Sequence, residues 1–259
     1  MTPRGTTPTT LTAPGRRRLL GAALGAGALA AAGPFAARAQ PAGAPITRRI
    51  PSSGEALPVV GLGSWITFNV GNDARARDAC AEVVRAFFEA GGRLIDSSPM
   101  YGSSQPTIGH ALAKLQQPAT LFSAEKVWVG DAARGAAQME ASRGFWGVPR
   151  FDLMQVHNLL AWEAHLPRLF EMKARGRLRY VGISTSEGRR HAELERIMRT
   201  QPIDFVQLSY SFADRDAEKR LLPLAVVDIV GREDDGVTQR LVLQGVVGGE
   251  DVLAGLLVQ

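Results

Sequence analysis

From Leu57 onward the chain alternates short apolar runs with stretches whose apolar residues return at three- and four-residue steps. The short runs predict strands over 59–65 (VVGLGSW), 93–97 (RLIDS), 121–128 (LFSAEKVW), 152–157 (DLMQVH), 179–184 (RYVGIS) and 204–210 (DFVQLSY). The stretches between them predict helices over 74–90, 104–115, 132–143, 165–175, 188–199 and 214–225. Six consecutive βα units with strands apolar on both faces require a parallel sheet covered by helices. An open doubly wound sheet usually carries a glycine-rich phosphate turn after its first strand, and "GLGSWITFNVGN" has no GxGxxG leading into a helix. The pattern therefore favours a barrel. Ahead of the first unit, "TRRIPSSGEALPVV" places Ser-Gly between two short extended runs, which predicts a hairpin capping one mouth.

The N-terminal stretch follows a different pattern. "GRRRLLGAALGAGALAAAGPFAARAQ" has a basic triplet, Arg16 to Arg18, an apolar run from Leu19 to Ala32, and Ala37-Arg38-Ala39 as a small-x-small cleavage site. Residues 1–39 read as an export signal, too short in its apolar part to span a bilayer comfortably. The arginines directly before Leu19-Leu20 point to the twin-arginine route, and so to a periplasmic or otherwise exported protein without a permanent membrane span. An uncleaved anchor is the alternative. The formal charge of +5 comes from five arginines in this segment (4, 16, 17, 18 and 38), so the remainder is neutral and the basic balance says nothing about nucleic acid. Cys80 is the only cysteine, which excludes an intrachain disulfide. Within "ARARDACAEVVRAFFEAGG", Ala79, Val83, Ala86, Phe87 and Ala90 recur at helical steps, so Cys80 is expected on a buried helix face.

In a barrel of this kind the chemistry sits at the carboxyl ends of the strands. Asp96 and Tyr101 follow the second strand, Lys126 lies near the end of the third, and His157 ends the fourth. Singly, each has a structural reading: a turn cap, a packed ring, a solvated edge charge, a satisfied histidine. Together, Asp-x4-Tyr, then Lys, then His resembles the tetrad order of the aldo/keto reductases. "SSGEALPVVGLGSW", "IDSSPMYGSS", "DLMQVHNL", "RYVGIST" and "QPIDFVQLSYS" resemble the same family over residues 47–225. The resemblance implies a (β/α)8 TIM-type barrel that reduces aldehydes or ketones with a nicotinamide cofactor, usually NADPH.

The chemistry of those side chains agrees with this. Hydride delivery to a carbonyl leaves a developing alkoxide that needs a proton donor, and a phenol with a pKa near ~10 is a weak acid at neutral pH. A nearby cation lowers that pKa, and a carboxylate paired with the cation holds it in place. Tyr101 is thus the expected proton donor, Lys126 its tuner, Asp96 the anchor of Lys126, and His157 the residue that orients the substrate oxygen.

For the cofactor, the resemblance carries over position by position. Ser184 matches the serine that touches the nicotinamide carboxamide, although the asparagine that often follows is Thr185 here. Gln207 matches the glutamine that binds the same group, and a buried amide in an apolar strand needs partners in any case. Gly63, Ser64 and Trp65 match the segment beside the cofactor. Glu125 departs from the family's small hydroxyl residue, yet successive strand side chains point to opposite faces, which leaves Lys126 facing the mouth.

The larger departure begins after "DRDAEKRLLPLA". Residues 226–259 are a divergent segment of 34 residues, whereas two βα units normally need about 60. Val226–Val230 and Leu241–Val247 are its candidate strands, and no basic residue follows Arg240 to grip the adenosine 2′-phosphate. The expected barrel is therefore incomplete, its last quarter replaced or its reading frame lost near residue 225. Two function classes stay open: an exported NADPH-dependent carbonyl reductase, and a truncated, non-catalytic relative. The histidines at 110, 157, 165 and 191 are scattered, with no metal-ligand spacing and no nucleophile elbow.

Overall fold

The structure, a computed structural model, describes residues 44–186, 188–227, 241–245 and 254–257. The export-signal reading of residues 1–39 lies outside the described residues.

The expected hairpin is present as β1 (Thr47–Arg49) and β2 (Ala56–Pro58), paired antiparallel. Gly54 turns the chain between them at φ +71°, a backbone conformation that suits glycine. Ile50 and Leu57, both fully buried, pack against Leu94, Phe122, Leu153, Tyr180 and Phe205 and plug the amino end of the barrel. Glu55 pins the plug by accepting hydrogen bonds from Arg93 (2.8 Å), the Tyr180 hydroxyl (3.0 Å) and Arg179.

Six parallel strands follow in sequence order: β3 (Val60–Gly63), β4 (Leu94–Asp96), β5 (Phe122–Val127), β6 (Phe151–Val156), β7 (Leu178–Thr185) and β8 (Phe205–Ser209). Helices α1 (Ala74–Glu89), α2 (Ser104–Lys114), α3 (Ala132–Trp146), α4 (Trp162–Ala174) and α5 (His191–Thr200) connect them. All six predicted βα units are there. The last predicted helix, 214–225, divides into a 3-10 turn at Asp216–Lys219 and α6 (Leu221–Val227).

Two side-chain layers follow from the strand period of two. Outward residues such as Ile95, Met154, Val181, Ile183, Val206 and Leu208 join the helices in the larger core cluster. Inward residues change character along the barrel axis. Phe122, Tyr180 and Phe205 stack near the amino end, with ring centroids 5.3–6.0 Å apart. Toward the carboxyl end the same parity carries Asp96, Lys126, Gln155, Ser184 and Gln207, so the interior is greasy below and polar above.

On α1 the buried stripe is Cys80, Ala81 and Val84, with Phe87 and Phe88 partly covered, while Val83 is 50% exposed. Cys80 is buried as expected, but the stripe is offset from Ala79, Val83, Ala86 and Ala90. Alanine fits either face of a helix, and the bulkier Val84, Phe87 and Phe88 set the rotation.

Two further strands close the ring. β9 (Leu241–Gly245) pairs parallel with β8, and β10 (Ala254–Leu257) pairs antiparallel with both β9 and β3. The predicted strand at Leu241–Val247 is thus seen over Leu241–Gly245. The one at Val226–Val230 is not: Val226 and Val227 end α6, and 228–230 lie outside the described residues. Among the described residues no helix follows β9, so the α/β barrel is incomplete in its last units and closed by strands alone. Among the described residues no helix is long and apolar enough to cross a membrane.

Candidate active site

Asp96 ends β4, Lys126 sits one residue before the end of β5, and His157 follows β6 directly. Lys126 is fully buried, and its Nζ donates to Asp96 Oδ2 at 2.5 Å and to the Ser97 carbonyl at 2.8 Å. Asp96 also accepts from Gln155 Nε2 and Gln207 Nε2, both at 3.3 Å. Burial alone would lower the Lys126 pKa; Asp96, Tyr101 and Glu125 together outweigh it and hold the ammonium above its ordinary 10.5. A buried pair of this kind is fixed in place by its neighbours, since removing either partner leaves an unpaired charge.

Tyr101 lies across Lys126, whose Nζ is 5.4 Å from the ring centroid. The loop after β4 holds the tyrosine by its backbone: Tyr101 N donates to the Ser98 carbonyl (3.0 Å) and Ser104 N to the Tyr101 carbonyl (3.1 Å). Gly102 adopts φ +59° against Asn69, where a Cβ would come 2.3 Å from Oδ1. Asn69 in turn accepts from Ser103 N at 2.9 Å, which ties the loops after β3 and β4 together. Burial raises the Tyr101 pKa above 10, and the opposing pull of Lys126 does not cancel it. Lys126 acts in the expected direction, but desolvation is the larger effect.

The His157 ring stands edge-on to Tyr101, with centroids 6.0 Å apart. Its Nδ1 is 2.8 Å from Ser184 Oγ and its Nε2 is 3.0 Å from Met100 Sδ. A thioether has no proton to give, so Nε2 carries the hydrogen and Ser184 donates to Nδ1. Burial, aided by the Lys126 charge, pushes the His157 pKa down to about 3. The ring is therefore a neutral donor across the ordinary pH range.

The remaining expected residues lie on the same face. Gly63 is paired in register with Asp96. Buried Ser64 donates to the Asp96 carbonyl (2.9 Å), and its own carbonyl accepts from Ser104 Oγ (2.9 Å), so its side chain braces the loops. Trp65 is 39% exposed, its ring 6.5 Å from that of Tyr101. Sequence reasoning missed two participants. Gln155 shares the inward parity of His157 two residues on, and that signal was available. Met100 had none, because its contact with His157 depends on how the loop folds back.

A nicotinamide carboxamide fits the upper ends of β7 and β8. Ser184 and Gln207 are adjacent in register, and the buried Ser209 Oγ has no hydrogen-bond partner among the described residues. An orphaned buried hydroxyl beside two polar side chains suits a polar ligand. In the divergent segment 226–259 the sequence has no basic residue after Arg240.

A largely parallel barrel with a buried lysine-carboxylate pair, a phenol and a neutral imidazole at its carboxyl mouth defines an α/β-barrel protein with a polar site at the ends of its strands. Residues 59–229 match the sequence model of the "Aldo/keto reductase family", and the chain belongs to that family. Methylglyoxal reductase YeaE of Escherichia coli (strain K12) is 29% identical over 171 residues, covering 64% of this chain and 59% of that protein. The NADH-specific methylglyoxal reductase of the same organism is 25% identical over 202 residues, covering 65% of this chain and 60% of that protein. The chain thus spans about three-fifths of the length of these relatives. Among solved structures, an aldo/keto reductase from Klebsiella pneumoniae in complex with NADP and acetate superposes with a TM-score of 0.60 at 22% identity, covering 71% of this chain and 65% of that one.

Proposed function

We propose that the protein reduces an aldehyde or ketone, with Tyr101 giving the proton and NADPH as the reductant. The observation that carries this reading is the Lys126 ammonium held between Asp96 and the Tyr101 ring. NADPH, when bound, supplies the hydride. The carbonyl oxygen accepts a hydrogen bond from His157 Nε2, which fixes its direction without adding charge. As negative charge grows on that oxygen, the Tyr101 hydroxyl releases its proton to it. Lys126 stabilises the phenolate left behind, and Asp96 with the Ser97 carbonyl keeps the ammonium from following the charge. Ser184 and Gln207 keep capacity for a carboxamide: the Ser184 oxygen can accept while its proton serves His157, and the Gln207 carbonyl can accept while its amide serves Asp96.

Trp65, Met100 and Trp128 follow the carboxyl ends of β3, β4 and β5 and are each about two-fifths exposed, which suits a substrate with an apolar body. The lack of a basic residue after Arg240 in the divergent segment 226–259 favours the second reading, a non-catalytic relative that keeps the mouth without the cofactor grip. The experiment is a thermal melt and tryptophan-fluorescence titration with NADPH and NADH, followed by turnover of methylglyoxal. We expect a melting shift with NADPH, turnover in the native chain, and a loss of at least a hundredfold in Tyr101→Phe. Full activity in Tyr101→Phe would overturn the assignment, and no melting shift with either nucleotide would establish the second reading.

Residues 1–39 are proposed as a twin-arginine signal that delivers the folded protein to the periplasm. N-terminal sequencing of the protein recovered from the periplasm is expected to start after Ala39; a full-length cytoplasmic product would sink this.

A further inference from the structure

Among the described residues, Met100 is the one side chain in hydrogen-bond contact with His157 Nε2. Its Sδ lies 3.0 Å from Nε2, while Nδ1 is taken by Ser184. The thioether is thus the sole acceptor for the Nε2 proton among the described residues. Yet Met100 is not a core residue: it is 41% exposed and sits next to Tyr101, in the loop anchored by Asn69 and Gly102. A methionine side chain has three rotatable bonds and can leave the contact without moving that backbone.

We propose that Met100 is a specificity-determining residue: its thioether is a built-in occupant of the oxygen subsite on His157, and a carbonyl binds there only by displacing it. The inference rests on the reading of the site as a carbonyl reductase. Three consequences follow. Sulfur is the weaker acceptor, so an oxygen replaces it downhill, but every substrate pays for the exchange with the contact that is lost. The Met100 contact keeps the buried His157 N–H satisfied until a carbonyl takes its place. The displaced side chain must then lie along the bound molecule, so the site favours carbonyls with a slim apolar flank over bulky ones.

The test titrates the full chain with acetone, with no reductant added so that it stays unreduced, as a probe of the subsite, followed by NMR of the His157 ring nitrogens and the Met100 methyl. In the native protein both signals are expected to move with one midpoint. In Met100→Leu, which keeps the bulk and removes the acceptor, the His157 midpoint is expected about threefold lower, the size of one weak hydrogen bond. The KM for methylglyoxal should fall by a similar factor with kcat within about twofold. A Met100 methyl that stays still while His157 responds would overturn the proposal, and this readout needs no variant. So would an unchanged midpoint in Met100→Leu, or a His157 signal that acetone leaves unmoved. If the native protein reduces no carbonyl yet shows the paired shifts, the activity reading fails and the occupant role stands.

Discussion

Gly102 shows how much of the site hangs on single residues. It combines a left-handed backbone with an approach to Asn69 that excludes a side chain, and it follows Tyr101 directly. Gly102→Ala is expected to cost about 1–3 kcal/mol, from strain plus displacement of Asn69. It should also lower turnover with little change in cofactor affinity, because the tyrosine moves and the β7 and β8 polar groups do not. Calorimetry and a nucleotide titration on the variant check both parts. At this scale Asp96, Lys126 and His157 were legible as polar residues at the exits of apolar strands, whereas Ser184 and Gln207 were read from the family resemblance, Gln207 also as an amide inside an apolar strand. The net direction of the Tyr101 pKa was not legible, since it depends on how completely the ring is desolvated. Ser64 was placed beside the cofactor by resemblance, but its hydroxyl is turned to the Asp96 carbonyl.

At the scale of elements, Glu125 ties three of them together. Next to Lys126 but on the opposite face, it is fully buried and accepts from Gln105 Nε2 of α2, Trp146 Nε1 of α3 and the Lys126 amide, each at 2.9 Å. Gln105 Nε2 also donates to Ser142 Oγ at 2.7 Å, which extends the network along α3. Burial raises the Glu125 pKa to about 7 from an ordinary 4.5. In the folded state it binds its proton more tightly than in the unfolded chain. Its contribution to stability is therefore fully present below pH 4.5 and is lost as pH rises through 7. Glu125→Gln removes the titration, so the difference in melting temperature between native and variant should shrink between pH 5 and pH 8; a constant difference would refute the assignment. The βα succession was legible because apolar runs and helical periodicity alternate cleanly. The rotation of α1 was ambiguous because its alanines fit either side, and the network around Glu125 was hidden because neither Gln105 nor Trp146 is near it in sequence.

For the whole molecule, closure is the decisive property. β9 and β10 stand where the family resemblance implies two complete βα units, and they satisfy the backbone groups of β8 and β3 that would otherwise be left at open edges. Deleting residues 241–259 should expose both edges, and size-exclusion chromatography is expected to show self-association; a monomeric, cooperatively melting product would contradict the role given to these strands. The barrel class could be read from six repeated units, whereas the way it closes could not: the strand at Ala254–Leu257 is short, rich in small residues and antiparallel to the rest. That last pairing also orders events in time. Gly255 lies beside Val60, so the first barrel strand made on the ribosome waits for the last one described here. The six parallel strands can assemble as they emerge, but β3 keeps an open edge until synthesis has reached β10. Such distant pairing is slow to form. For this chain, the interval between synthesis and ring closure is the period of greatest exposure to mispairing, and any chaperone that shields the β3 edge would act then.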